Sequence, residues 1–174
     1  MKRFLPIRRG TRTLLFRLFY MTSTLLRKQS VELEVLRWSR QFRNVPFNDY
    51  AAVRLLSNAI YSLRDAQRIS QRSLVGRYWV AYEGIYALCL GTLYLHGLLP
   101  TGQEGHRALV VQIACERLYL SIRDRTKILE SARQIEAIAC DAQESLDESD
   151  VQDIIALGAI ALMQAKRVYP DWFT

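Results

Sequence analysis

Glycine and proline are scarce in this chain, at 8 and 4 among 174 residues. An all-β fold of many short strands needs turn residues at roughly ten-residue intervals, so that class is excluded. Cysteine is scarcer still. Cys89, Cys115 and Cys140 lie far apart, each inside an apolar or helical stretch. They offer neither a disulfide framework nor a zinc-ligand pair, and they suit a reducing, cytoplasmic compartment. No apolar run reaches the roughly 18 residues of a membrane span; the nearest, Val80 to Leu95, is interrupted by Glu83. Histidine occurs twice, as His96 and His106, too sparsely for a metal centre and without a neighbouring nucleophile and acid that would read as a triad. The glycines from Gly97 to Gly105 lack the Lys-Ser/Thr ending and the preceding strand of a phosphate loop. No metal and no cofactor is expected.

What is present is a hydrophobic half and a charged quarter, enough to bury a core and to exclude disorder as the default. The net charge of +7 is unevenly distributed. Residues 1–44 hold 11 Lys/Arg and 2 Glu, whereas residues 45–174 hold 13 Lys/Arg against 15 Asp/Glu. The body is therefore slightly acidic and does not attract phosphate through its overall field. Residues 1–20 carry six basic residues and no acid, with Arg8, Arg9, Arg12 and Arg17 alternating with Leu14, Leu15, Phe16, Leu18 and Phe19. Arg17 breaks the apolar stretch a secretory signal requires. The arm reads as a transit peptide, a membrane-surface or RNA-touching segment, or a translated upstream region ahead of a start at Met21. Residues 1–30 are thus expected to be a basic arm, and residues 31–174 a single domain.

That domain reads as helix after helix. Val31 to Phe42 is expected as the first. Pro46 marks a loop, after which Asn48 or Asp49 caps a helix running to about Gln71. Its Ala52, Leu55, Leu56, Ala59, Ile60 and Leu63 share one face. A third helix, Leu74 to His96, has two apolar stripes and is expected to be the central, most buried element. Gly97 ends it, and Pro100, Thr101 and Gly102 form a turn. A fourth helix covers about Glu104 to Leu120, with Leu109, Val110, Ile113, Ala114 and Leu118 inward. A fifth, opened by Ser121 with Asp124, runs to about Gln143. After the acidic stretch Glu144 to Asp153, a last helix continues to Val168, where Pro170 stops it; Trp172 and Phe173 are expected to fold back. The fold class is all-α, an up-and-down bundle of five to six antiparallel helices.

Three features can carry chemistry. Glu83 stands in the central helix and needs an arginine or a tyrosine hydroxyl as partner, or else lies on a groove. Arg77, Tyr78, Tyr82 and Tyr86 share that helix; they form core with polar tips or a surface for stacking on bases. Gly105-His106-Arg107 opens the fourth helix and is either a plain cap or an anion site.

Residues 58–114, from Asn58-Ala59-Ile60 through Arg64-Asp65-Ala66, the Tyr-rich helix, His96-Gly97 and Gly105-His106, resemble the helical core of HEPN-domain proteins, and the likeness extends over roughly residues 50–168. The resemblance implies an all-α bundle that dimerises, cytoplasmic location, and roles as toxin or antitoxin components, RNA-processing enzymes or nucleotide-binding modules. Catalytic members are metal-independent RNases in which an Arg is followed, after four to six intervening residues, by a His. Here Arg133 is followed by Ala137, Ile138, Ala139, Cys140 and Asp141 where that His would stand. The expected function is therefore a non-catalytic, HEPN-like binding or regulatory module. Its expected partners are a second copy, a cognate toxin or antitoxin protein, and RNA or a nucleotide. Expected ligand contacts are Arg77, Tyr82, Glu83, Tyr86, His106, Arg107 and Arg125. The alternatives are an RNase with a rearranged site at His106 and Arg107, or a structural bundle that docks a partner helix.

Overall fold

The computed structural model describes residues 41–69, 73–102, 105–139 and 146–173. The basic arm, nearly all of the expected first helix and Cys140 lie outside them. The elements in chain order are β1 (Phe42–Asn44), α1 (Asp49–Arg68), α2 (Leu74–Tyr94), β2 (Leu98–Pro100), α3 (His106–Arg117), α4 (Ile122–Ala139) and α5 (Glu148–Val168), followed by a short 3-10 turn at Pro170–Trp172. The described residues form an all-α helical bundle with one two-stranded ribbon. No helix among them is long and apolar enough to cross a membrane.

Local sequence sets most of the helix boundaries. Asn48 Oδ1 accepts the Ala51 N–H at 3.0 Å and starts α1. Asp147 and Asp150 cap α5 reciprocally, each carboxylate accepting the other residue's N–H at 3.0 Å. Between α3 and α4 the chain turns tightly. Tyr119 takes φ 55°, the left-handed conformation of a helix C-terminus, and the Leu120 N–H reaches back to the Cys115 carbonyl at 3.0 Å. Ser121 Oγ then accepts the Asp124 N–H at 3.1 Å and opens α4.

Helix α2 is the centre. It packs against α1, α3 and α5, and from Ala81 to Tyr94 nearly every side chain is buried. The second of its two stripes leaves the core at its start, where Val75 and Trp79 are exposed. Close approach to α1 depends on glycine: a Cβ at Gly84 would stand 2.9 Å from Leu63 Cγ and 3.1 Å from its backbone nitrogen. Helix α1 answers with Ala52, Leu56, Ala59, Leu63 and Ala66, a stripe of helical spacing.

The ribbon is a departure from the sequence reading. Phe42, placed there at the end of a helix, pairs with Pro100, placed in a turn; Arg43 faces Leu99 and Asn44 faces Leu98 in antiparallel register. Short pieces on either side of α1 and α2 satisfy each other's backbone groups, a non-local pairing that overrides propensity. Pro100 is tolerated because a two-stranded ribbon is all edge. At the chain's end the expected return of the tail is present: Trp172 meets Phe47 edge-on, ring centroids 5.5 Å apart, and Phe47 lies 6.1 Å from Tyr94.

Candidate ligand-contact site

Four of the seven expected contact residues converge where α3 begins against the middle of α2. Arg107 Nη2 donates to Glu83 Oε1 at 2.7 Å. The guanidinium carbon stands 4.4 Å from the Tyr86 ring centroid and 5.8 Å from that of Tyr82. The two tyrosine rings run nearly parallel, 6.5 Å apart. They are separated by four residues, one helical turn, while Glu83 follows Tyr82 directly, so a single face of α2 presents all three to Arg107.

Burial divides the labour within this group. Tyr82 and Tyr86 are core residues, and Arg107 itself covers the Tyr86 face, so neither ring is open for a base to stack upon. Arg107 and Glu83 are each about a third exposed, at 33% and 34% of their side-chain surface. Partial burial works against the arginine's charge, but the hydrogen bond and charge of Glu83, with the two tyrosines, outweigh it and hold its pKa above the ordinary arginine value. Burial raises both tyrosine hydroxyls, opposed by the positive charge of Arg107. The result is a fixed cation seated on an aromatic floor. One nitrogen of its guanidinium is held by a carboxylate, the group lies against the tyrosines, and about a third of the side chain stays exposed.

His106 stands beside it as the first residue of α3 and is half-buried. Gly105 precedes it with φ 75° and provides no side-chain cap.

The other two expected residues are elsewhere. Arg77 is buried, with Nη1 donating to Glu148 Oε1 at 2.7 Å and Oε2 at 2.8 Å, and Nε to the Ala66 carbonyl at 3.5 Å. It ties the end of α1 and the start of α5 to α2. Arg125 pairs with Glu116 at 3.0 Å across the α3–α4 turn. Both are fastenings between elements. Among the described residues no group of three or more His, Cys, Asp or Glu is placed to hold a metal ion. Cys89 and Cys115 are buried reduced thiols. The hydrogen bond with Cys115, together with burial, pushes the Cys89 thiol well above its usual pKa, which makes it a poor nucleophile.

One cluster escaped the sequence reading. His96 Nε2 lies 2.8 Å from the Tyr169 hydroxyl, and Arg117 exerts its charge on the same hydroxyl. These residues come from the end of α2, the end of α3 and the end of α5. Nothing local in the sequence marks them; the tail's aromatic pair was the only hint that this end of the chain returns to the bundle.

Comparison with known proteins returned no match to a protein-family model, a curated protein or a solved structure.

Proposed function

We propose that this chain is a non-catalytic, HEPN-like binding module that takes a phosphate-bearing ligand, a nucleotide or a segment of RNA, at the Arg107–Glu83 cluster. The observation that supports this most is the seating of Arg107, one-third exposed and fixed by Glu83 and the Tyr86 face. Guanidinium groups bind phosphate through paired N–H donors, and Arg107 spends one nitrogen on Glu83. Arg107 also stands in the first turn of α3, at the helix end whose dipole favours an anion. Because Glu83 offsets much of the arginine's charge, binding relies on directed hydrogen bonds more than on long-range attraction, in keeping with the slightly acidic body of the chain. RNA cleavage is not part of the reading, since no histidine follows Arg133 at the spacing the RNases use.

Thermal unfolding with AMP, ATP, GTP and a short single-stranded RNA tests it. A ligand at about a hundred times its Kd stabilises by about 2.7 kcal/mol, several degrees of Tm for a domain of this size. The wild type should show that shift with at least one of these ligands, and Arg107→Gln should lose it. No shift in the wild type with any of them removes the ligand; an equal shift in Arg107→Gln removes the site.

A further inference from the structure

Helix α5 has a surface that its own bundle does not explain. From Ile154 to Ala165 it carries no charged residue for 12 positions, yet Ala156, Ala159 and Met163 are exposed, Met163 by 59%. A helix on a solvated surface is ordinarily polar on its outer side. Charge is confined to the ends: Glu148 and Asp150 in the first turn, Lys166 and Arg167 in the last.

We propose that α5 pairs antiparallel with α5 of a second copy of this chain, across a two-fold axis between Leu157 and Gly158. The outward stripe is Glu148, Gln152, Ala156, Ala159, Met163 and Arg167, all exposed and all within one helical face. Its spacing is the same read from either end. Reversing a second helix about that midpoint sets Glu148 against Arg167, Gln152 against Met163, and Ala156 against Ala159. Acid meets base at both ends, small meets small at the centre, and the axes can approach to the short end of the range for packed helices. A parallel pairing would set like charges together. An acidic or a basic peptide would match one end of α5 and be repelled by the other, so the doubled charge pattern favours a second copy. This is the self-complementarity that a two-fold interface requires.

Two neighbouring features support the pairing. Glu148 keeps its contact with Arg77 and is still 47% exposed, leaving oxygen surface for Arg167 of the second copy. Beside the stripe, a groove of about 260 Å³ runs between α1 and α5, lined in part by Ile60, Leu63, Ile155, Ala159 and Leu162. Ala159 belongs to both, so the groove opens onto the centre of the stripe, where Ala156 of the second copy is small enough for the helices to come close.

Sedimentation velocity of the full chain across the micromolar range, beside Met163→Glu and Ala156→Glu, tests the proposal. The wild type should dimerise in a concentration-dependent way. Each variant should weaken association more than about tenfold, because it places a charge in the apolar centre. Both positions are exposed, so melting temperatures at a dilution where the wild type is monomeric should stay unchanged and separate lost association from lost folding. The sense of pairing is read from introduced thiols in a Cys140→Ser background. Gln152→Cys mixed with Met163→Cys should cross-link, and neither should cross-link with itself. A wild type that stays monomeric, a Met163→Glu chain that dimerises as well as the wild type, or self-cross-linking of each single variant would overturn it.

Discussion

At the scale of the residue, the arginines of this chain differ by what surrounds them. Arg77 is surrounded by protein and spends its donors on Glu148 and Ala66; Arg107 stays about a third exposed. The same type of side chain is a fastening in one place and a candidate contact in the other, and only burial separates them. A comparable distinction applies to Tyr169. Burial, opposed by the charge of Arg117, pushes its hydroxyl up to about 12 from an ordinary value near 10. The folded chain therefore holds this proton to higher pH than the unfolded chain does. The associated stability is fully present below about pH 10 and is lost as pH rises to about 12, a contribution on the order of 2 kcal/mol. Tyr169→Phe should lose about 1 kcal/mol at neutral pH with the His96 hydrogen bond, yet decline less steeply than the wild type between those pH values. Parallel slopes in urea unfolding of the two proteins across that window would contradict the assignment.

At the scale of the element, the helices are begun by short polar side chains and brought together by missing ones. Asn48→Ala removes the α1 cap and should cost about 1 kcal/mol in urea unfolding. Gly84→Ala should cost more, about 1–3 kcal/mol, although alanine is the better helix former. Its methyl would press on Leu63 Cγ and on the backbone of α1, and Leu63 is itself fixed in the core. A Gly84→Ala protein as stable as the wild type would show that α1 and α2 can separate without loss. The ribbon of β1 and β2 is the element where local reasoning failed. Three-residue strands leave no periodicity to read, and Phe42 and Pro100 find each other only because α1 and α2 return the chain to the same place.

At the scale of the whole molecule, stability should hold from about pH 5 to about pH 10 and fall on both sides. The acid side belongs to the start of α5. The Asp150 N–H lowers the pKa of the Asp147 carboxyl, while Gln152 and then Arg77 lower that of Glu148. Carboxylates lowered on folding stabilise above their unfolded values near 4, and that stability is lost as pH falls through the folded ones. Asp147→Asn keeps a capping oxygen that does not titrate, so its Tm should fall less on acidification than that of the wild type; identical acid limbs would remove Asp147 from the account.

The sequence alone determined the helical class, the apolar faces, a cap at Asn48 or Asp49 and another at Ser121, the breaks at Gly97 and Pro170, and the central place of α2. Each of these follows from residues within a turn or two of one another. It also held the demand that Glu83 find an arginine or a tyrosine hydroxyl, or else lie on a groove, because a carboxylate in an apolar helix states its need locally. Only the tertiary structure decided among them and supplied Arg107, which lies 24 residues away. The same holds for the coupling of His96 to Tyr169 and for the burial of Arg77. Contacts between distant segments depend on how helix faces pack, and one helical pattern is compatible with several packings. Periodicity specifies which side of a helix seeks cover; the fold alone chooses what covers it.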